Sequence, residues 1–148
     1  MQAAKASGKR IGLVTTAAVH DASPTAFSVH AKSRRESQGT VDQFLALEPD
    51  VLMGGGRDYF LPKGSGGGKR SDGVDAVSAF AAKGYEIVRE PSALAAAKGP
   101  RLLALFADED MAHEIDRDPQ REPSTGDMNV DFARALHRLI DASGKAAR

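Results

Sequence analysis

IGLVTTAAVHDASPTAFSVHAKSRR, residues 11–35, decides how the rest of the chain is read. It opens as an apolar run, Ile11-Gly12-Leu13-Val14-Thr15, and passes through a polar turn, His20-Asp21-Ala22-Ser23. A strand over Arg10–Thr15 is expected, too apolar to alternate and therefore buried on both faces. A helix is expected from Pro24 to about Arg35, with Ser23 at the N-cap and Pro24 at the first helical position. Its inward stripe would be Phe27, His30, Ala31 and Arg34. A buried strand feeding a polar turn at a helix start is where open α/β sheets place their ligands.

Working outward, the same alternation continues. Gly39–Leu47 predicts a helix with Val41, Phe44 and Leu45 on one face, broken at Glu48-Pro49-Asp50. Val51-Leu52-Met53 predicts a second strand, with Gly54-Gly55-Gly56 as a tight turn after it and Tyr59–Pro62 as an aromatic patch on a loop. Residues 63–72 are rich in glycine and charge and read as a flexible loop. A helix over Asp72–Lys83 carries Val74, Val77, Phe80 and Ala81 at helical spacing and stops at Gly84. Tyr85–Val88 reads as a strand, Pro91–Lys98 as a short helix, and Leu102–Phe106 as another fully apolar strand. Residues 107–128 form a long polar loop, and a last helix is expected over about Asn129–Ala142. Residues 1–9 read as the end of a helix closed by Gly8, a remnant of something upstream, and both ends of the chain read as truncated. The pattern predicts one partial α/β domain over 1–148, a three-layer sandwich on a mainly parallel sheet.

Composition narrows the function classes. The chain has 148 residues, 41% of them hydrophobic, with no Cys and no Trp. That supports one alanine-rich core and excludes disulfides and thiolate metal sites. Lys plus Arg and Asp plus Glu are 20 each, so no basic excess points to nucleic acid. No apolar run approaches the ~20 residues of a membrane-spanning helix.

The turn holds a carboxylate and a hydroxyl two residues apart, Asp21 and Ser23. Both are hard oxygen donors that suit magnesium. Arg34 follows, and a planar guanidinium can grip two phosphate oxygens at once. Each residue also has an ordinary reading: a serine capping a helix, an aspartate near the positive end of its dipole, an arginine facing solvent. Gly54–Gly56 invites a phosphate-loop reading but lacks GxGxxG, and Gly64–Lys69 fails the GxxxxGK[ST] template. Asp108, Glu109, Asp110, His113, Glu114 and Asp116 lack calcium-loop order and read as a solvated acidic stretch. Lys69-Arg70 reads as an ordinary solvated pair.

Together these segments resemble the alkaline phosphatase family, whose metal-binding strand-loop-helix commonly reads GLVTT…(T/Q)(H/D)A(T/S)PAAF…H…SR. The likeness continues through Asp50–Pro62, DVLMGGGRDYFLP, returns at Leu103–Asp108 and Glu114–Arg117, and ends after Pro123-Ser124. It implies that Ser23 ligates magnesium directly and that Asp21 acts through the metal's water shell. It implies that Arg34, in the pair Ser33-Arg34, binds phosphate, with Arg35 the competing candidate. His20 sits one place before the family's metal-site position, and His30 is read as structural. A straight helix would hold Ser23 and Arg34 ~16 Å apart, so either the helix ends early or the site lies alongside it.

The family hydrolyses phosphate monoesters through a phosphoserine, with two zinc ions and one magnesium. Its Asp-Ser-Ala nucleophile motif does not occur in these 148 residues. Neither do its downstream glutamate motif and its Asp-x-x-x-His zinc pair. The expectation is therefore a fragment bearing the magnesium-side ligands and the phosphate arginine, nearly inactive alone. Its parent would be periplasmic or extracellular and a homodimer. The alternative is a small non-catalytic α/β phosphate- or nucleotide-binding module, with its anion pocket at the Val51–Gly56 turn.

Overall fold

The computed structural model describes residues 1–112. The helix expected over 129–142, the acidic positions His113, Glu114 and Asp116, and the latter part of the 107–128 loop lie outside the described residues.

Four parallel strands form one sheet: β1 (Gly12–Ala18), β2 (Val51–Gly55), β3 (Glu86–Val88) and β4 (Leu102–Leu105), in the order β1-β2-β4-β3. The helices are α1 (Gln2–Ala6), α2 (Ala22–Ser28), α3 (Ser37–Leu47), α4 (Ala76–Ala82) and α5 (Pro91–Leu94), with a 3-10 turn at Arg57–Phe60. Side chains alternate across a strand, and the two faces of β2 and β4 build two cores. Leu52 and Leu103 pack with Val41, Phe44, Val77 and Phe80 of α3 and α4. Val51, Met53, Leu102 and Ala104 pack with Leu94 of α5 and with Met111. The α/β architecture expected from the sequence is therefore present, with helices on both faces.

β2 and β4 are buried on both faces, as their unbroken apolar runs predict. β1 is not, which corrects the expectation for Arg10–Thr15. Exposed and half-exposed positions alternate along it, and Val14 is 39% exposed. The reason is its place at the sheet edge, where among the described residues it pairs with β2 alone.

α2 is a second correction. It ends at Ser28, and Val29 is already extended. The inward residues are Pro24, Thr25 and Ser28, while Phe27, His30, Ala31 and Arg34 are all exposed. The Ser28 hydroxyl donates to the Pro24 carbonyl at 2.6 Å, a local bond that competes with continuing the helical ladder. Asp21, not Ser23, is the N-cap residue.

The aromatic patch Tyr59–Pro62 lies on the connection after β2, as expected, and it joins the core. Phe60 is fully buried, stacked against Phe80 at 5.9 Å, which in turn meets Tyr85 edge-on at 4.9 Å. Burying each of these rings stabilises the fold by about 1.5–3 kcal/mol. The Tyr85 hydroxyl donates to the Pro49 carbonyl at 2.6 Å, and burial pushes its pKa upward.

Candidate functional site

At the C-terminal end of the sheet, two turns lie side by side: Val19–Ser23 after β1 and Gly56–Phe60 after β2. They hold their polar groups in opposite ways.

α2 stops at Ser28, so Arg34 is not carried away along the helix axis. Arg34 Nη2 donates to Asp21 Oδ1 at 2.9 Å, joining the two residues that a continuous helix would have separated. Both remain open to solvent, the arginine side chain 69% and the aspartate 37% exposed. Among the described residues one nitrogen of the guanidinium is engaged, which leaves its other donors unpaired in a largely exposed side chain. Ser23, in the first turn of α2, is exposed, and its hydroxyl has no hydrogen-bond partner among the described residues. Asp21 and Arg34 are thus brought together, and Ser23 stands near them in sequence with its oxygen unengaged. His30 is exposed, and its backbone is held by Gln43 through two hydrogen bonds of 2.8–2.9 Å.

The turn after β2 is sealed. Gly54 and Gly55 belong to the strand rather than to a tight turn, and Gly56 takes the positive φ of 89°. A Cβ on Gly55 would lie 2.1 Å from the Glu109 carbonyl oxygen, and one on Gly54 2.8 Å from that of Thr15. These glycines exist for close approach of neighbouring backbone. The amides that a phosphate loop would offer are taken: Gly56 donates to Glu109 O at 2.8 Å, Arg57 to Ala107 O at 3.0 Å and Asp58 to Asp108 O at 3.1 Å. Among the described residues these three amides are therefore not free to bind an anion.

Charged groups frame this sealed turn. Asp58 is 2% exposed. Its Oδ1 accepts from the Tyr59 amide at 2.7 Å and lies 3.3 Å from His20 Nε2; its Oδ2 lies 2.9 Å from Lys69 Nζ. Lys69 also donates to Glu109 at 2.6 Å; this bond first, then that to Asp58, raises the lysine's pKa, and the same bond lowers that of Glu109. Arg57 pairs with Asp108 at 2.7 Å, and Asp110 accepts from the Ala18 amide at 2.7 Å.

Arg70 is 1% exposed, held by Asp72 through two bonds and by Asp42 at 2.7 Å. The solvated reading is corrected for Arg70, which is buried; Lys69 and Asp108–Asp110 are exposed as expected, but paired. These charges are partners of one another across loops distant in sequence. The available signal was complementarity: a glycine-rich loop ending in two cations, and an acidic stretch that follows the next strand but one.

Comparison with known proteins gives the site a context. The sequence model of the alkaline phosphatase family matches residues 1–142. The repressible alkaline phosphatase of Saccharomyces cerevisiae is 34% identical over 142 residues, covering 84% of this chain and 25% of that protein. The crystal structure of Thermus thermophilus alkaline phosphatase superposes with a TM-score of 0.81 at 38% identity, over 93% of this chain and 28% of that one. A mutant of the TAB5 alkaline phosphatase, with histidine changed to aspartate and Mg bound, superposes with a TM-score of 0.60 at 26% identity, covering 74% of this chain and 30% of that one. The chain spans roughly a quarter to a third of the length of these relatives.

Proposed function

This chain belongs to the alkaline phosphatase family, and from that premise we propose that it carries the magnesium-side and phosphate-gripping part of a phosphate-monoester hydrolase. The observation that carries the reading is the solvent-open Asp21–Arg34 pair at 2.9 Å, two residues in sequence from Ser23, whose hydroxyl has no partner among the described residues. Arg34 grips phosphate oxygens through the remaining donors of its fork. Asp21 fixes the guanidinium's orientation from the other side, so that part of the ordering is complete before substrate arrives.

Asp21 and Ser23 supply hard oxygens, and the donor set fits a magnesium ion that keeps most of its waters. Ser23 would ligate it directly and Asp21 through water. A bound magnesium there would neutralise charge on the phosphoryl oxygens. The TAB5 relative with an introduced aspartate and bound Mg supports this assignment. Zinc does not fit. Among the described residues no three His, Cys, Asp or Glu side chains group together, and a zinc site needs a near-tetrahedral set.

The sequence contains no Asp-Ser-Ala nucleophile motif, so this chain alone turns over little or no substrate. The whole enzyme would be exported, to the periplasm or beyond, and dimeric. No helix among the described residues is long and apolar enough to cross a membrane.

Two measurements test the proposal. Inorganic phosphate titrated into the 15N-labelled chain should shift resonances around Arg34 and leave those of Gly54–Gly56 still. Shifts confined to Gly54–Gly56 would restore the binding-module reading. Phosphate release by the purified chain with zinc and magnesium should stay at background, and substantial turnover would refute the fragment reading.

A further inference from the structure

We infer that His20 and Asp58 form a positioning pair that holds the Asp21–Ser23 turn in place, and that Lys69 ties this pair to the loop after β4. His20 is 8% exposed, the last buried residue after Ala18 and Val19 and directly before the half-buried Asp21. Its ring is enclosed on three sides. Tyr59 meets it edge-on, with centroids 5.0 Å apart. Asp58 Oδ1 lies 3.3 Å from Nε2. Gly56 presents bare backbone, where a Cβ would come within 2.8 Å of Nε2. An ionised carboxylate only accepts, so Nε2 is the donating nitrogen.

The main chain on either side of His20 is already engaged. Val19 N donates to Gly55 O at 3.1 Å, Asp21 N to Ala18 O at 2.9 Å, and the Thr25 hydroxyl to His20 O at 3.1 Å. Val19 reaches the same region with an apolar side chain, against Gly54 and in one core with Phe60, and the imidazole adds the polar contact to Asp58.

Asp58 in turn is fixed by three partners from three segments: the Tyr59 amide, His20, and Lys69, which also holds Glu109. The chain from Glu109 through Lys69, Asp58 and His20 ends one peptide away from Asp21. Supporting partners of this kind set the placement of a metal-addressing group, and their loss typically costs about 10–100-fold in affinity or activity. That the turn addresses a cation rests on the function proposed above; that the pair holds the turn does not.

The test uses the full 148-residue chain. Amide hydrogen exchange is measured for His20→Ala, Asp58→Asn and Lys69→Met, with His20→Gln as the conservative variant whose side-chain N–H reaches the same carboxylate. Exchange at the Asp21 and Thr25 amides should rise about tenfold or more in His20→Ala and Asp58→Asn. It should rise several-fold in Lys69→Met, a half-exposed position whose loss leaves the core intact. Leu52 and Leu103 amides should be unchanged, and His20→Gln should return the turn to within roughly threefold of the parent. Equal acceleration of turn and core, no acceleration, or no recovery in His20→Gln would overturn the inference. Manganese, a paramagnetic stand-in for magnesium, is added to the parent as a separate arm. If the Asp21 and Ser23 resonances do not broaden while the exchange pattern holds, the metal assignment fails and the positioning pair stands.

Discussion

The turns after β1 and after β2 look alike as sequence. Each follows an apolar strand and each carries groups that could meet a phosphate. In space they are opposites. The β2 turn spends its amides on the carbonyls of Ala107, Asp108 and Glu109 and packs too tightly to admit a methyl group. Among the described residues the β1 turn leaves the Ser23 hydroxyl unengaged, and the Arg34 side chain is 69% exposed. Saturated groups build a scaffold, and unsaturated ones placed on that scaffold are available for a ligand. A glycine-rich turn is therefore no evidence of anion binding until its donors have been counted.

The sharpest way to break this contrast is Gly55→Ala. The added Cβ would sit 2.1 Å from a backbone oxygen that cannot swing aside like a flexible side chain. Either β2 or the loop after β4 must move, and the variant should lose about 3 kcal/mol or more of stability in urea denaturation. A loss under about 1 kcal/mol would mean that the two loops are not locked together. In that case the β2 turn would be no more sealed than its neighbour.

How far the sequence reaches follows the same line. The unbroken apolar runs of β2 and β4 announce doubly buried strands, because covering both faces needs no more than local composition. β1 has an equally apolar start, but its exposure depends on which strands flank it, and no window of sequence contains that information. Asp21 and Arg34 were identifiable from a motif. Their contact was not, because it depends on α2 ending at Ser28, where a side-chain hydroxyl takes a helix carbonyl. Asp58, Lys69 and the burial of Arg70 were missed for a third reason. Charged residues pair across loops by tertiary placement, with no period to reveal them. Glu48 shows the same limit at the other end of the sheet. It takes a left-handed conformation after α3 and binds both Lys83 and Arg101.

Glu48 extends the comparison to charge. The hydrogen bond from Lys83, more than any other influence, holds its carboxyl below the ordinary value of 4.5, with Arg101 assisting. A carboxylate depressed by folding contributes its stability above the unfolded pKa and loses it as pH falls through the folded one. Parent stability should therefore be constant in this respect at neutral pH and decline below about pH 4.5. Glu48→Gln should cost less than about 1 kcal/mol at pH 7 and converge on the parent in acid, since the pair is partly exposed. Guanidine titrations at neutral and acid pH would read this. A difference that persists unchanged into acid would show that the glutamate acts through its backbone conformation and not its charge.

The smallest effect on stability is expected at the open turn, and it is the most informative. Arg34→Ala removes a 2.9 Å ion pair between two solvent-exposed side chains. Such pairs contribute about 0–1 kcal/mol, because water screens the charges and ordering the long side chain offsets the attraction. Stability should change by less than about 0.5 kcal/mol, while the phosphate-induced shifts near residue 34 disappear. Arg34→Lys keeps the charge but loses the planar fork, so it should recover only part of the phosphate response. Full recovery with lysine would mean that the site reads charge alone. A large stability loss in Arg34→Ala would mean that the Asp21–Arg34 pair is scaffold after all, no different in kind from the sealed turn beside it.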